Sequence, residues 1–216
     1  NLRSVVKAFE YLGARVRVLQ TPEGLEEIDA LVFPGQGTFD QCMAALNQTG
    51  LASSIKEWVS SGKPFLGVCL GLQVLFEKSE EGELPGLALF PGYVQKFSLE
   101  RKLKIPHMGW NTVMPETHGN GTQLFIGLEN GFDAYFAHSF EVKPNDAADI
   151  SALSKFDGRN LVSAVNREHV YGVQFHPESV LTEHGHLMLA NWLVQCGDAG
   201  ALAKSVGLSP VVGRSS

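Results

Sequence analysis

Lys63-Pro64-Phe65-Leu66-Gly67-Val68-Cys69-Leu70-Gly71-Leu72-Gln73 is the stretch that decides how the chain reads. A short apolar run ends on a cysteine, and the start of a helix follows. Glycines stand two residues before and two residues after Cys69. The spacing Gly-x-nucleophile-x-Gly suits a sharp strand-to-helix turn, whose backbone is strained and whose flanking positions have no room for side chains. Such a turn sets the thiol at a helix N-terminus, where free N–H groups and the helix dipole favour the thiolate. Cys69 therefore reads as a nucleophile. The competing reading is a buried structural cysteine on a core strand.

A nucleophilic thiol needs a base, and the base needs an orienting group. Both are offered by Tyr171-Gly172-Val173-Gln174-Phe175-His176-Pro177-Glu178-Ser179, where an apolar strand runs out into His-Pro-Glu. Residues two apart in an extended chain point the same way. Glu178 is thus placed to hold the His176 ring, with Pro177 stiffening the link. Alone, this is equally well a strand-end histidine packed on a carboxylate. Beside the Cys69 turn it predicts a Cys69–His176–Glu178 triad.

These two stretches together resemble the class I (triad) glutamine amidotransferases. Pro34-Gly35-Gln36-Gly37 resembles the oxyanion strand of that family. Pro106-His107-Met108-Gly109-Trp110-Asn111 and Tyr135-Phe136-Ala137-His138-Ser139-Phe140 resemble one branch of it, the amidotransferase subunits of imidazole glycerol phosphate synthase in histidine biosynthesis. The resemblance covers roughly residues 1 to 197.

It implies hydrolysis of glutamine to glutamate, with the ammonia passed to a (β/α)8-barrel cyclase subunit in a heterodimer. That partner makes imidazole glycerol phosphate and the AICAR by-product. It implies oxyanion donors at Leu70 and within Gly35, Gln36 and Gly37. It places Gln73 and the backbone of Ser139 and Phe140 at the amino-acid end of glutamine, and His107, Met108, Gly109, Trp110 and Asn111 at the partner face. No cofactor is implied. His184 and His186 lack an obvious third ligand, so no metal site is expected.

The end of the chain departs from this pattern. Ser179 follows the triad where the histidine-pathway subunits usually carry a lysine that meets an acidic residue of the cyclase. Ser179 to His186 and Ala190 to Leu193 look instead like the amidotransferases of anthranilate or aminodeoxychorismate synthase. The chain reads as a hybrid with a junction between about Val165 and His176. A chorismate-using synthase is thus the alternative partner. A catalytically weak scaffold that only binds a partner is the alternative of another class, and a cysteine peptidase on the same turn is a further one.

The remaining features bound the class. The 216 residues, 44% hydrophobic and 19% charged, suit one α/β domain of ordinary globular composition. A net charge of −6 argues against nucleic-acid binding. No apolar run approaches the ~18 residues of a membrane span. Three cysteines without framework spacing and no visible signal peptide fit a cytoplasmic protein.

Along the chain the expected elements are a helix from Leu2 to Leu12, a strand at Arg15 to Leu19, and a strand at Asp29 to Phe33. Helical material follows from Phe39 to Val59, broken near Thr49-Gly50. After the Phe65 to Val68 strand a helix should run from Leu70 to about Lys78. Strands are then expected at Leu89 to Phe97, Pro106 to Val113, Ala134 to Val142, Ile150 to Phe156, Leu161 to Asn166 and Val170 to Phe175, with a closing helix from Gly185 to Val194. The alternation implies a mixed, mostly parallel α/β sheet with flanking helices, joined by antiparallel strands in the second half. Residues 1–197 form the amidotransferase domain, and 198–216 read as a loosely ordered tail. The family usually has an apolar strand before a helix start like Asn-Leu-Arg-Ser. Either the sequence is a fragment or the sheet lacks a strand, and the exposed backbone a lost inner strand leaves favours truncation.

Overall fold

A computed structural model of the chain describes residues 2–97, 104–117 and 120–197; the expected tail at 198–216 lies outside the described residues. All four residues of Phe65–Val68 (β2) are buried. That is what a strand with neighbours on both edges and helices on both faces demands. β2 pairs in parallel with Leu31–Pro34 (β1) on one side and Val170–Val173 (β10) on the other. The register sets Pro34, Val68 and Val173 side by side. The Pro34-Gly35-Gln36-Gly37 loop, Cys69 and the run into His176 therefore leave the sheet at one edge, the carboxyl ends of parallel strands where α/β sites form.

Beyond β10 the sheet turns antiparallel through Arg159–Arg167 (β9), Ile150–Phe156 (β8), His107–Pro115 (β5) and Phe132–His138 (β6), giving the order β1-β2-β10-β9-β8-β5-β6. Within this sheet the parallel pairing is confined to the β1–β2–β10 end. A second, three-stranded sheet joins Lys78–Ser79 (β3), Gly92–Lys96 (β4) and Phe140–Pro144 (β7).

Helix α1 (Leu2–Tyr11) buries Val5, Ala8 and Phe9, and Phe9 meets Trp192 of the closing helix edge-on at 5.8 Å. Helices α2 (Phe39–Thr49) and α3 (Leu51–Ser60) cover the other face. Thr38 and Gln41 close a reciprocal capping box at the start of α2. Gly50, with φ 78°, breaks the two apart. The closing helix, which we number α5, spans Gly185–Gln195; α4 is the short helix after Cys69. The pleat divides β2 between two apolar clusters: Leu66 and Val68 pack towards α1 and α5, Phe65 towards α2 and α3.

Three expectations change. Residues 15–19 form no strand, since no neighbour among the described residues offers them a ladder, and Val16 and Val18 stay partly exposed. The helix after Cys69 (α4) spans only Leu70–Gln73. The carbonyls of Val74, Leu75 and Phe76, which a longer helix would use internally, accept instead from the N–H groups of Leu87, Leu89 and Ala88. The run from Ala134 to Val142 is two strands, not one. It leaves the large sheet at His138 and joins the small sheet at Phe140.

Candidate active site

Cys69 sits between β2 and α4 with φ 56° and ψ −112°, a backbone conformation that side-chain-bearing residues rarely adopt. Its N–H donates to the Val173 carbonyl at 2.8 Å, which ties the turn to β10. The flanking glycines have a steric reason. A Cβ on Gly67 would overlap the Gly71 carbonyl, and one on Gly71 would overlap the Phe33 carbonyl of β1. A Cβ on Gly35 would stand 2.6 Å from the Gly71 nitrogen. β1, the turn and α4 are thus in backbone-to-backbone contact. The helix is one turn long, so the end that carries Cys69 offers first-turn N–H groups and no long macrodipole.

His176 lies where the chain has just left β10. Its N–H donates to the Tyr135 carbonyl at 3.0 Å, and its own carbonyl accepts from the Thr182 hydroxyl at 2.7 Å. Thr182 also accepts from the Tyr135 N–H at 3.1 Å, so this buried side chain clamps the triad loop to β6. The Pro177 carbonyl fills the space where a side chain on Gly185 would go, seating the loop on α5. The His176 Nδ1 and the Glu178 Oε1 are 2.9 Å apart, and the other Glu178 oxygen is buried without a hydrogen-bond partner among the described residues. Burial opposes a charge on His176. Its hydrogen bonds to Cys69 and Glu178, and the charges of both, outweigh that and raise its pKa from 6.5 to about 10. Both other members of the expected triad thus act on the charge of His176. By contrast, burial pushes the Cys42 thiol up to about 11 and the Cys196 thiol up to about 12, which makes both poor nucleophiles.

Of the expected oxyanion donors, Leu70 is the first residue of α4. In the facing loop the Gly35 N–H donates to the Val68 carbonyl, and the Gln36 backbone partly offsets the effect of burial on the Cys42 thiol. Gly37 has φ 79°, as expected of a glycine at a tight turn.

Gln73 is buried, and its Nε2 donates to Gln174 Oε1 at 3.0 Å and to the Phe140 carbonyl at 3.4 Å. Gln174, fully buried, points its own amide at the Cys69 sulfur at 3.7 Å. Gln174 was not singled out from the sequence, although a polar residue inside an apolar strand end, two before His176, was the available signal. Ser139 is where the chain crosses from the large to the small sheet, which brings its backbone and that of Phe140 beside Gln73.

β5 splits the 107–111 motif between two faces. Met108 and Trp110 are exposed, at 64% and 62%, whereas His107 is buried at 5% and Gly109 and Asn111 lie between. The Trp110 indole N–H donates to the Leu181 carbonyl at 2.6 Å, next to the triad loop. The His186 ring stacks on Tyr11. Among the described residues no helix is long and apolar enough to cross a membrane.

The strained turn at Cys69 carries Gln174 against its sulfur, and the family profile "Glutamine amidotransferase class-I" matches residues 1–196. The chain belongs to the class I glutamine amidotransferases. Among similar curated proteins, the imidazole glycerol phosphate synthase subunit HisH of Synechococcus sp. (strain JA-2-3B'a(2-13)) is 42% identical to this amidotransferase over 194 residues, 89% of this chain and 87% of that one. The HisH subunit of Syntrophotalea carbinolica is 44% identical over 82% of this chain and 87% of its own. A crystal structure of a glutamine amidotransferase superposes with a TM-score of 0.69 at 18% identity, over 91% of this chain and 93% of that one. A glutamine amidotransferase from Thermotoga maritima gives 0.57 at 18% identity, over 90% and 76%. Those structural likenesses bear on the fold.

Proposed function

We propose that this amidotransferase is the glutaminase subunit of an imidazole glycerol phosphate synthase, releasing ammonia for a (β/α)8-barrel cyclase partner. The observation that carries the chemistry is the contiguous Cys69–His176–Glu178 group on the glycine-packed turn.

Cys69 sulfur attacks the side-chain amide carbon of glutamine, and the carbonyl oxygen becomes an oxyanion facing the Leu70 N–H. The second donor comes from the 35–37 loop. Because the Gly35 N–H is already engaged by the Val68 carbonyl, this reading has a peptide of the loop rotate when substrate binds. His176, protonated and steadied by Glu178, gives its proton to the departing nitrogen as the C–N bond breaks, leaving a thioester. Water then loses a proton to His176 and attacks the thioester, which frees glutamate and restores the thiol. Gln73 and the Ser139–Phe140 backbone hold the amino-acid end of the substrate, and Gln174 keeps Gln73 and the thiol in register.

The partner reading is supported by the HisH relatives and by the exposed Met108 and Trp110, of which Trp110 reaches the triad loop through Leu181. Ser179 caps the turn after the triad by accepting from the Leu181 N–H, so its role is local, and the contact of a lysine with the cyclase is absent. The test is glutamate release from glutamine, with and without a cyclase subunit and its nucleotide substrate, run beside a chorismate-using synthase. Stimulation by the cyclase is expected. Stimulation only by the chorismate enzyme would reassign the partner, and no release with either from folded protein would overturn the glutaminase.

A further inference from the structure

His107 and His138 are opposite each other on β5 and β6, on the buried side of the ladder. Both are nearly inaccessible, at 5% and 6%. Their rings sit in an aromatic box: His107 against Phe156 and Phe136 at 4.0 and 4.7 Å, His138 against Phe97 at 5.1 Å. Neither is used by the chemistry above.

Their hydrogen bonds run in one direction only. The Phe140 carbonyl accepts and never donates, so His138 Nδ1, 2.8 Å away, carries a hydrogen. A neutral ring then has a bare Nε2, which lies 3.0 Å from His107 Nδ1. His107 must therefore also carry its hydrogen on Nδ1, leaving Nε2 to accept from the Asn111 amide at 3.3 Å. The other hydrogen of that amide goes to the Lys155 carbonyl at 2.8 Å, which fixes its orientation. All members of the chain are mutually consistent. Burial lowers the pKa of His107 to about 4 and that of His138 to about 3, in keeping with two neutral rings. The Phe140 carbonyl at the end of the chain is the one that also holds Gln73.

We propose that His107 and His138 are positioning residues, a directional hydrogen-bond relay from Asn111 to the Phe140 carbonyl that sets the Ser139–Phe140 peptide and Gln73 for the amino-acid end of glutamine. This rests on the glutaminase reading above. It gives His107 an internal role, while its strand neighbours Met108 and Trp110 face outwards.

Two alkylating agents separate positioning from folding. A glutamine-analogue diazoketone, 6-diazo-5-oxo-norleucine, needs the amino-acid pocket to reach Cys69; iodoacetamide does not. In the full chain, His138→Leu is expected to slow labelling of Cys69 by the diazoketone about tenfold, the loss of about one buried hydrogen bond. Labelling by iodoacetamide should change by less than about twofold on the same grounds. His138→Asn, which keeps a donor at the place of Nδ1, should recover most of the lost rate. Equal slowing with both reagents, or no recovery with Asn, overturns the proposal. If His138→Leu does not fold, His107→Phe ends the relay one residue earlier in a box that accepts a phenyl ring, and the same split is expected at smaller size. Nitrogen-15 spectra of the unmodified chain test the geometry without any activity: both rings should be neutral Nδ1–H tautomers near pH 7, and an Nε2–H tautomer at His138 overturns the relay. Wild-type protein that reacts with iodoacetamide but not with the diazoketone would instead refute the glutaminase reading, with the tautomers still deciding the relay.

Discussion

The two ends of the large sheet are built by different means. At the β1–β2–β10 end, backbone meets backbone: Gly67, Gly71 and Gly35 have no space for a Cβ, and the nucleophile is set by main-chain sterics. At the β5–β6 end, side chains decide: an aromatic box holds two imidazoles inside while Met108 and Trp110 stand outside. Placement by backbone tolerates no substitution but leaves a signature of glycines. Placement by side chains depends on which face of a strand each residue takes, and that is a tertiary fact.

The sharpest way to break the first end is at the sulfur. Cys69→Ala should lower glutaminase activity by at least about four orders of magnitude with little change in thermal midpoint, measured as glutamate release. Residual activity near that of the parent would show that another nucleophile is used. Next comes the steric frame. Gly71→Ala must push β1 and α4 apart, and should cost more than about 3 kcal/mol in denaturant unfolding or prevent folding. A cost below about 1 kcal/mol would mean that the Phe33–Gly71 approach is readily relaxed.

At the other end, Trp110→Ala should weaken cyclase binding by about 10- to 100-fold, read by titration of the two subunits, because exposed tryptophans dominate interfaces out of proportion to area. An unchanged affinity would move the partner face elsewhere. The last test concerns His176, whose effect is gradual in pH. Its pKa is about 10 in the fold against an ordinary 6.5, so between these values the native state keeps a proton that the unfolded chain releases. Its contribution to stability is complete below about pH 6.5 and is lost as pH rises through 10, at up to about 1.4 kcal/mol per pH unit. Unfolding between pH 6 and 9.5 should show this slope, and His176→Asn should flatten it. Identical slopes would mean that the folded histidine is neutral.

This contrast also marks what could be read in advance. The turn at Cys69 and the His-Pro-Glu run were legible because strained backbone demands glycine and a two-residue period fixes which side chains are neighbours. The break at Gly50 was legible for the same reason. The chain from Ala134 to Val142 was not, because its apolar pattern continues through Ser139 and only the presence of a second sheet divides it. Likewise nothing local stops a helix at Gln73; residues 86–90 arrive from further along and take its carbonyls. Gln174 and Thr182 were missed because each matters through a partner distant in sequence, Gln73 for one and Tyr135 for the other. His107 was grouped with the partner face as part of a contiguous motif, and the pleat of β5 turned it inwards.

The contact between Gly71 and the Phe33 carbonyl also limits how such an enzyme can change over time. With no slack between β1, the turn and α4, the position of the sulfur is closed to gradual adjustment: a mutation there is either silent or ruinous. Novelty has to accumulate where fit is set by interchangeable side chains, along β5 to β7 and the loop after His176. A lineage built on this frame would keep its reaction and trade its associates.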